Sequence, residues 1–380
     1  MKFLKLLLIT LALSNTGLAF ADEDLSLRDK IGQMLIVGFE GKEVDAKSAI
    51  IKSISEQNIG GVILFDYNYQ TKTFDKNIAN PEQVSQLNHD LQAANELANQ
   101  KKHRKALPLL ISVDYEGGEV NRLSSDYGFP KTLPAAEVGK MTEDKASQQA
   151  ELMGKTLEDA GFNLNFAPDL DVNTNPENPI IGLLGRSFST EPAEVARFGG
   201  LYSRYFLQHK TQCAYKHFPG HGSSKSDSHL GFVDVTESWQ ESELDPYKIL
   251  LNSPDSCGMV MTAHIVNRVL DDSGLPATLS HKVLTEILRE QLQFDGVIVT
   301  DDMQMKAISE HYGLEQALTL ALNAGADMFI FGNQLSDKAQ DPKEVIDLIE
   351  AKVKSGEISQ ARIDQAYEHI KNFKLSLAMS

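Results

Sequence analysis

Eight apolar runs of strand length alternate with amphipathic stretches along the chain. The runs are rich in β-branched residues and carry few polar side chains, as is typical of parallel strands buried on both faces. An open doubly wound sheet usually carries a glycine-rich phosphate-binding sequence after its first strand, and none follows Phe39. The alternation therefore predicts an α/β chain folded as a single-domain (β/α)8 barrel. The predicted strands are 34–39, 61–65, 109–113, 163–167, 212–217, 258–264, 296–301 and 327–331.

The intervening stretches predict helices that cover the outside of this barrel. Their apolar residues recur at helical spacing, which places one face of each helix against the strands. The predicted helices include 46–57, 82–100, 144–160, 192–209, 281–291 and 314–324, and a last helix is expected at about 359–375.

The N-terminal 21 residues have the pattern of an export signal. Lys2 and Lys5 precede an apolar stretch that runs through Leu13, and the sequence Ala-Phe-Ala at 19–21 matches the small residues that signal peptidase requires. The stretch is shorter than the ~20 residues that cross a bilayer. We expect cleavage after residue 21, a mature domain at 22–380 without a membrane span, and a periplasmic or secreted location.

The net charge excludes two kinds of partner, and the cysteine count excludes one class of fold. A formal net charge of −17 argues against nucleic acid and anionic membranes, because phosphate binding requires clustered Lys and Arg. The two cysteines, Cys213 and Cys257, are too few for a disulfide scaffold. We expect two buried thiols, with a bridge as the alternative because each cysteine starts a predicted strand.

Polar clusters follow five consecutive predicted strands, the third to the seventh. In a (β/α)8 barrel the loops after the strands converge on one face, where active sites lie. The sequence therefore predicts one polar site at the C-terminal face of the barrel. The clusters contain Asp114, Glu116 and Arg122; Asp169, Asp171 and Arg186; Lys216 and His217 with His221 and His229 in the loop that follows; His264; and Asp301 with Asp302.

Three hypotheses account for the histidine loop, which contains His217, His221 and His229. Histidines and carboxylates together ligate zinc, but Pro219 and Gly220 prevent the first two histidines from sharing a helical face, and we predict no metal and no cofactor. A protein that binds a polyol without catalysis is the second hypothesis. Cleavage of a glycoside through a covalent intermediate is the third.

Glycoside cleavage of this kind needs a carboxylate nucleophile and a proton donor on opposite faces of the sugar. Asp301 ends a predicted strand and is placed to be the nucleophile. Asp301 or Asp302 could each cap the following helix, and with two adjacent aspartates one can cap while the other reacts. Asp227 lies two residues before His229, close enough to hold the imidazole and stabilise its cation. These residues predict an acid/base pair opposite a nucleophile.

Four ordered motifs resemble those of the glycoside hydrolase family 3 β-N-acetylglucosaminidases. The sequence KHFPGHG at 216–222, followed by DSH at 227–229, is similar to the signature of that family. The sequences DYEGG at 114–118 with Arg122, GRSF at 185–188 and TDDM at 300–303 resemble three further motifs in the same order. The β-glucosidase branch of the family uses a carboxylate from a second domain as acid/base, so the histidine loop favours the glucosaminidase branch.

The resemblance implies a role for each matching residue. It makes Asp301 the nucleophile, His229 the general acid/base and Asp227 the partner of His229, in a retaining exo-hydrolase that takes carbohydrate and needs no cofactor. It implies no firm role for His221. The residues implied to bind the terminal sugar are Asp114, Arg122, Arg186, Lys216 and His217.

Two departures and two alternatives remain open. Tyr115 and Glu119 stand where the family usually has Gln and Arg, beside the implied sugar contact Asp114. Phosphorolysis is the alternative reaction, because a histidine acid/base does not repel an incoming phosphate. β-Glucoside cleavage is the alternative specificity, and muropeptides, chitooligosaccharides and glycan side chains are all open as substrates.

Overall fold

Eight parallel strands close into a barrel in the computed structural model, which describes residues 25–335 and 338–379. Each predicted strand overlaps one observed strand, so the predicted single-domain (β/α)8 barrel is confirmed. The strands are β1 Leu35–Gly38, β2 Gly61–Leu64, β3 Leu110–Val113, β4 Leu164–Asn165, β5 Gln212–Phe218, β6 Met259–Thr262, β7 Val297–Asp302 and β8 Met328–Phe331.

The barrel closes because β8 returns to pair with β1, in the register Leu35 to Phe329. All four residues of β1, β2, β3, β6 and β8 are buried, as expected for strands packed against side chains within the barrel and helices around it. Gly38 permits the close approach at this seam, since a Cβ there would lie 1.8 Å from the carbonyl oxygen of Gly332.

Helices surround the barrel, as predicted. The helix Pro342–Ser355 was not among the segments predicted; it begins after Asp341, whose side chain accepts from the backbone N–H of Lys343, and ends at Gly356. The helices of seven or more residues are Leu27–Gln33, Ala49–Gln57, Pro81–Lys102, Glu143–Asp159, Pro192–Gln208, the π-type helix Lys282–Gln291, Leu314–Ala324, Pro342–Ser355 and Gln360–Met379.

Asp327 anchors two of these helices to the N-terminal end of β8. Its buried carboxylate accepts from Arg289, from Arg362 at 2.5 Å and from the backbone N–H of Ile298 at 3.0 Å, and it lies 3.1 Å from Nδ1 of His369. Burial alone would raise the pKa of Asp327, but His369 and the two guanidinium groups lower it. Ion pairs therefore stabilise the N-terminal end of the barrel, opposite the face on which the sequence predicts the polar site.

Cys213 and Cys257 form a disulfide, and the expectation of two buried thiols was wrong. Cys213 lies near the start of β5 and Cys257 just precedes β6, and these strands are neighbours in the barrel. Their Cα atoms are 4.9 Å apart, within the range that a disulfide spans. Strand order and side-chain direction decide this pairing, and cysteine spacing reveals neither.

No helix among the described residues combines the length and apolar character needed to cross a membrane. The predicted signal peptide at 1–21 lies outside the described residues.

Candidate active site

One cavity of about 580 Å³ opens at the C-terminal face of the barrel. Its polar lining comes from the ends of β3, β5 and β7 and from the loops that follow β2 to β5, β7 and β8, which is where barrel enzymes place functional groups. All eight residues predicted for the site line this cavity. They are Asp114, Arg122, Arg186, Lys216, His217, Asp227, His229 and Asp301.

The two adjacent aspartates at the end of β7 make different contacts. Asp302 accepts from the backbone N–H groups of Gln304 at 2.9 Å and Gly332 at 3.2 Å, which ties β7 to the loop after β8. Both aspartates line the cavity, where Asp301 accepts from the backbone N–H of Asp302 at 2.8 Å. Asp302 is therefore the anchor, and Asp301 is the carboxylate available for chemistry.

Asp301 remains ionised although it is partly buried. Burial alone would raise the pKa of Asp301, but three nearby imidazoles lower it below its ordinary value; they are His264, His217 and His229. Burial raises the pKa of Asp302 to about 7. The environment thus separates two neighbouring carboxyls: Asp301 is held as an anion, whereas Asp302 titrates near neutral pH.

Asp227 and His229 form a hydrogen-bonded pair in the loop after β5. Oδ1 of Asp227 lies 2.7 Å from Nδ1 of His229 and also accepts from the His229 backbone N–H at 2.8 Å. Burial alone would lower the pKa of His229, but the bond to Asp227 and the charge of Asp301 raise it. The ring is therefore oriented with Nδ1 on the carboxylate, which leaves Nε2 for proton transfer.

Glu116 holds two of the predicted sugar-binding cations. Its carboxylate accepts from Arg186 at 2.8 and 2.7 Å and lies 2.6 Å from Nζ of Lys216. Lys216 also donates to Asp114 at 3.0 Å. Burial alone would raise the pKa of Glu116, but the charges of Arg186 and Lys216 lower it well below its ordinary value. A rigid ionic network results, with Asp114 at its edge.

Asp171 orients His217. Oδ2 of Asp171 lies 2.6 Å from Nδ1 of His217, so the ring presents Nε2 toward Arg186, whose Nη2 is 3.4 Å away. Burial lowers the pKa of His217 to about 4. A neutral ring with Nδ1–H on the carboxylate offers Nε2 as an acceptor.

The histidine loop is seated against the segment after β4. A Cβ on Gly222 would lie 1.7 Å from the carbonyl oxygen of Val172. The backbone N–H of His221 donates to Asp171 at 2.7 Å, and Nε2 of His221 lies 3.2 Å from Oγ of Ser228. Burial lowers the pKa of His221 to about 3. His221 is thus a buried, neutral contact to the residue between Asp227 and His229.

Arg122 stands apart from the ionic network. Its Nη1 is 3.9 Å from Oδ1 of Asp66, and its guanidinium lies 5.9 Å from the centre of the Phe65 ring. Both arginines line the cavity, but Arg122 is partly exposed and contacts residues of the loop after β2, whereas Arg186 is buried.

Glu116 and Asp171 were not among the predicted site residues. Both occur in the strand-end clusters that the sequence analysis identified, but their partners lie 70 and 46 residues away along the chain. His264 is a third such residue. It lies 3.0 Å from the Asp302 carbonyl oxygen through Nε2 and lowers the pKa of Asp301.

Among residues 25–335 and 338–379, three side chains lie close enough to share a metal ion. They are Asp169, Asp171 and His217, whose ligand atoms lie within 4.8 Å of one another. The Asp171 and His217 atoms already bond each other, and Oδ2 of Asp169 is 3.6 Å from the Arg186 guanidinium. A cation there would meet that positive charge and would have to break the contact that orients His217.

Two curated relatives match most of the chain. β-Hexosaminidase A of Pseudoalteromonas piscicida is 33% identical over 350 residues, which are 86% of this chain and 55% of that protein. A β-hexosaminidase of Tolumonas auensis is 33% identical over 305 residues, 79% of this chain and 82% of that protein. The chain thus spans about half the length of the first relative and most of the second.

A family model and a solved structure agree with these matches. The structure of a glycoside hydrolase family 3 β-N-acetylglucosaminidase from Paenibacillus sp. FPU-7 superposes with a TM-score of 0.82 at 35% identity, over 93% of this chain and 63% of that one. The model of the glycosyl hydrolase family 3 N-terminal domain matches residues 26–373. The chain therefore belongs to glycosyl hydrolase family 3.

Proposed function

We propose that the protein is a retaining exo-β-N-acetylglucosaminidase that hydrolyses terminal β-linked N-acetylhexosamine. The observation that carries the proposal is a single cavity lined by an ionised carboxylate, Asp301, and by an imidazole of raised pKa, His229. Retaining glycosidases need a nucleophile and a proton donor in these protonation states. The names of the Pseudoalteromonas, Tolumonas and Paenibacillus relatives support the N-acetylhexosamine specificity.

In the first step a carboxylate oxygen of Asp301 attacks the anomeric carbon. The bond from that carbon to the leaving oxygen breaks, and His229 donates its Nε2 proton to this oxygen. The carboxylate of Asp227 stabilises the imidazolium before the transfer. In the second step His229 removes a proton from water, the water oxygen attacks the anomeric carbon, and Asp301 is released. The two displacements together retain the β configuration.

The remaining predicted residues bind the terminal ring. The carboxylate of Asp114 accepts from sugar hydroxyls, Lys216 and Arg186 donate to them, and Nε2 of His217 accepts. Because Glu116 and Asp171 hold these groups in place, the ring meets a preorganised site.

Stereochemical rescue by azide tests the assignment. With an activated N-acetyl-β-glucosaminide, Asp301→Ala has no nucleophile, so azide should attack the sugar once and give the α-glycosyl azide. His229→Ala still forms the glycosyl-enzyme, so azide should give the β-glycosyl azide. Asp272→Ala and His281→Ala change exposed residues and serve as matched controls with unchanged activity. A fully active Asp301→Ala enzyme, or azide products of the opposite configuration, would contradict the mechanism.

The pH dependence gives an independent test. The pKa of His229 is raised above its ordinary 6.5 and that of Asp301 is lowered below its ordinary 3.8. Activity should therefore fall as pH rises through the His229 pKa, where the acid loses its proton, and as pH falls through the Asp301 pKa, where the nucleophile gains one. The pH profile of His229→Ala, measured with a leaving group that needs no protonation, should lack the alkaline limb.

Nitrophenyl glycosides and product analysis separate the alternatives. Preference for the N-acetyl-β-glucosaminide over the β-glucoside supports the proposed specificity, and the reverse order supports a β-glucosidase. Release of the free sugar in phosphate buffer supports hydrolysis, whereas a sugar 1-phosphate identifies phosphorolysis. No cleavage across the panel supports a sugar-binding protein.

We also propose that the protein is exported. The support is the pattern of residues 1–21 together with the Cys213–Cys257 disulfide, since disulfides persist in oxidising compartments. Detection of a mature N-terminus at residue 22 in the periplasm or medium tests this proposal, and an intact N-terminus in the cytoplasm contradicts it.

A further inference from the structure

A second cavity of about 570 Å³ lies beside the catalytic cavity. It is formed by the loop after β2 and by the chain after β3, which includes a short hairpin of Tyr115–Gly117 and Val120–Asn121. Tyr69, Arg122 and Gln334 line both cavities. The two therefore form one continuous depression, with Arg122 between the proposed sugar pocket and the second cavity.

An aromatic cluster forms one wall of the second cavity. The ring of Tyr67 packs edge-on against Tyr69 at 4.8 Å and lies 4.9 Å from Phe74. Tyr69 and Phe74 are nevertheless 53% and 62% exposed. Two backbone hydrogen bonds between Asn68 and Thr73, of 2.8 and 3.3 Å, hold the turn that carries them. Exposed rings that are fixed by their neighbours offer an apolar surface at little cost in conformational entropy.

Such a surface beside a sugar pocket fits the apolar face of another sugar ring. The C–H groups of a pyranose lie on its faces and its hydroxyls on its rim, so one face can cover an aromatic ring while the rim remains hydrogen-bonded. The second cavity also offers polar partners, since Asn121, Ser124 and Gln334 line it.

Acidic side chains form a further part of the wall of the second cavity. Asp66, Glu119 and Asp126 line it against one cation, Arg122, which gives a net charge of −2. Glu119 and Asp126 are exposed, and Asp66 accepts from the Tyr127 hydroxyl at 3.2 Å. A ligand that carries a carboxylate is repelled here, and a neutral or cationic ligand is not.

We propose that the second cavity binds the leaving-group ring of the substrate and selects a neutral or amine-bearing hexosamine over one that carries a carboxylate. The proposal rests on the proposed function. In an exo-enzyme the catalytic pocket holds the terminal ring, so a second bound ring belongs to the leaving group. The physiological substrate is then of the chitooligosaccharide class, because the muramic acid of cell-wall fragments bears a lactyl carboxylate.

The aromatic wall is tested with leaving groups of different size. We expect kcat/KM for the β-1,4-linked N-acetylglucosamine disaccharide to exceed that for the methyl N-acetyl-β-glucosaminide by on the order of tenfold. Phe74→Ala should reduce this ratio several-fold, mainly through KM for the disaccharide. Val269→Ala removes a side chain of similar exposure on another loop and should leave the ratio unchanged.

The acidic wall is tested with leaving groups of different charge. At low salt the disaccharide with a free amine on its reducing ring should exceed the N-acetylglucosaminyl-muramic acid disaccharide by about threefold or more in kcat/KM. The double variant Glu119→Gln, Asp126→Asn should bring this ratio toward one, as should 0.5 M salt, which shortens the Debye length to roughly 4 Å. Asp272→Asn is the matched control.

The outcomes separate this proposal from the proposed function. If neither the methyl glycoside nor any disaccharide is cleaved, the proposed function fails. If the methyl glycoside is cleaved but the disaccharide has no advantage, or Phe74→Ala leaves the ratio unchanged, the second cavity is not a sugar subsite. Equal or better cleavage of the muramic acid disaccharide overturns the charge selection.

Discussion

Glu116 is the residue whose replacement tests the ionic network most directly. Its side chain is 4% exposed and is the common acceptor for Arg186 and Lys216, which are themselves 8% and 3% exposed. In Glu116→Gln the side chain keeps its size but loses its charge, and its amide cannot accept from both cations in the same way. Two buried cations then retain Asp114, Asp169 and Asp171 as counter-charges.

The expected loss of stability follows from this burial. Breaking a buried ion pair by removing one partner costs about 3–5 kcal/mol, and the glutamine oxygen retains one hydrogen bond, so we expect about 3 kcal/mol. At about 2.1 cal/mol/K per residue, a domain of roughly 350 residues has an unfolding entropy of about 0.7 kcal/mol/K. The variant should therefore melt about 4 °C below the wild type.

The pH dependence of this difference has a definite sign. The pKa of Glu116 is lowered in the folded protein, so its contribution is complete above the unfolded pKa of about 4.3 and is lost as pH falls through the folded value. The difference in Tm should therefore persist from pH 8 to about pH 5 and shrink in stronger acid.

Calorimetry of the wild type, Glu116→Gln and Glu310→Gln across this pH range is the assay. Glu310 makes a surface pair with Lys306 in which both side chains are 55% exposed, so the same substitution there should change Tm by less than about 1 °C. The reasoning is refuted if both variants melt together, or if the Glu116→Gln difference is as large at pH 3 as at pH 7.

Three further predictions concern single contacts. Asp171→Asn should reduce kcat/KM by at least about tenfold, because His217 loses the carboxylate that orients it. Steady-state kinetics checks this, with the exposed variant Asp272→Asn as a control whose kcat/KM should be unchanged. Replacing Cys213 and Cys257 by serine should lower the free energy of unfolding by up to about 4 kcal/mol, because the disulfide closes a loop with a sequence separation of 44. Urea denaturation should give the same free energy of unfolding for this variant and for the reduced wild type. His221→Asn should lower activity without moving the alkaline limb of the pH profile, because the pKa of His221 is about 3 and the ring is already neutral where His229 titrates.

The strand-end rule explains why the main site residues could be predicted. Asp301, Lys216 and His217 lie at the ends of apolar runs, and local pattern is enough to find such positions. The functions of Glu116 and Asp171 could not be predicted in this way, because each acts through a partner on another strand. Their carboxylates are also compatible with sugar contact or turn formation until those partners are known.

The sequence by itself determined the barrel, the face on which its polar residues meet and the residues that match the family motifs. Periodicity and strand-end position depend on near neighbours in the chain, so they can be predicted from the sequence without knowledge of the fold. Tertiary structure alone decided the disulfide, the ionic network around Glu116 and the second cavity beside the catalytic cavity. Each depends on the distance between segments remote in sequence, and that distance exists only once the barrel has closed.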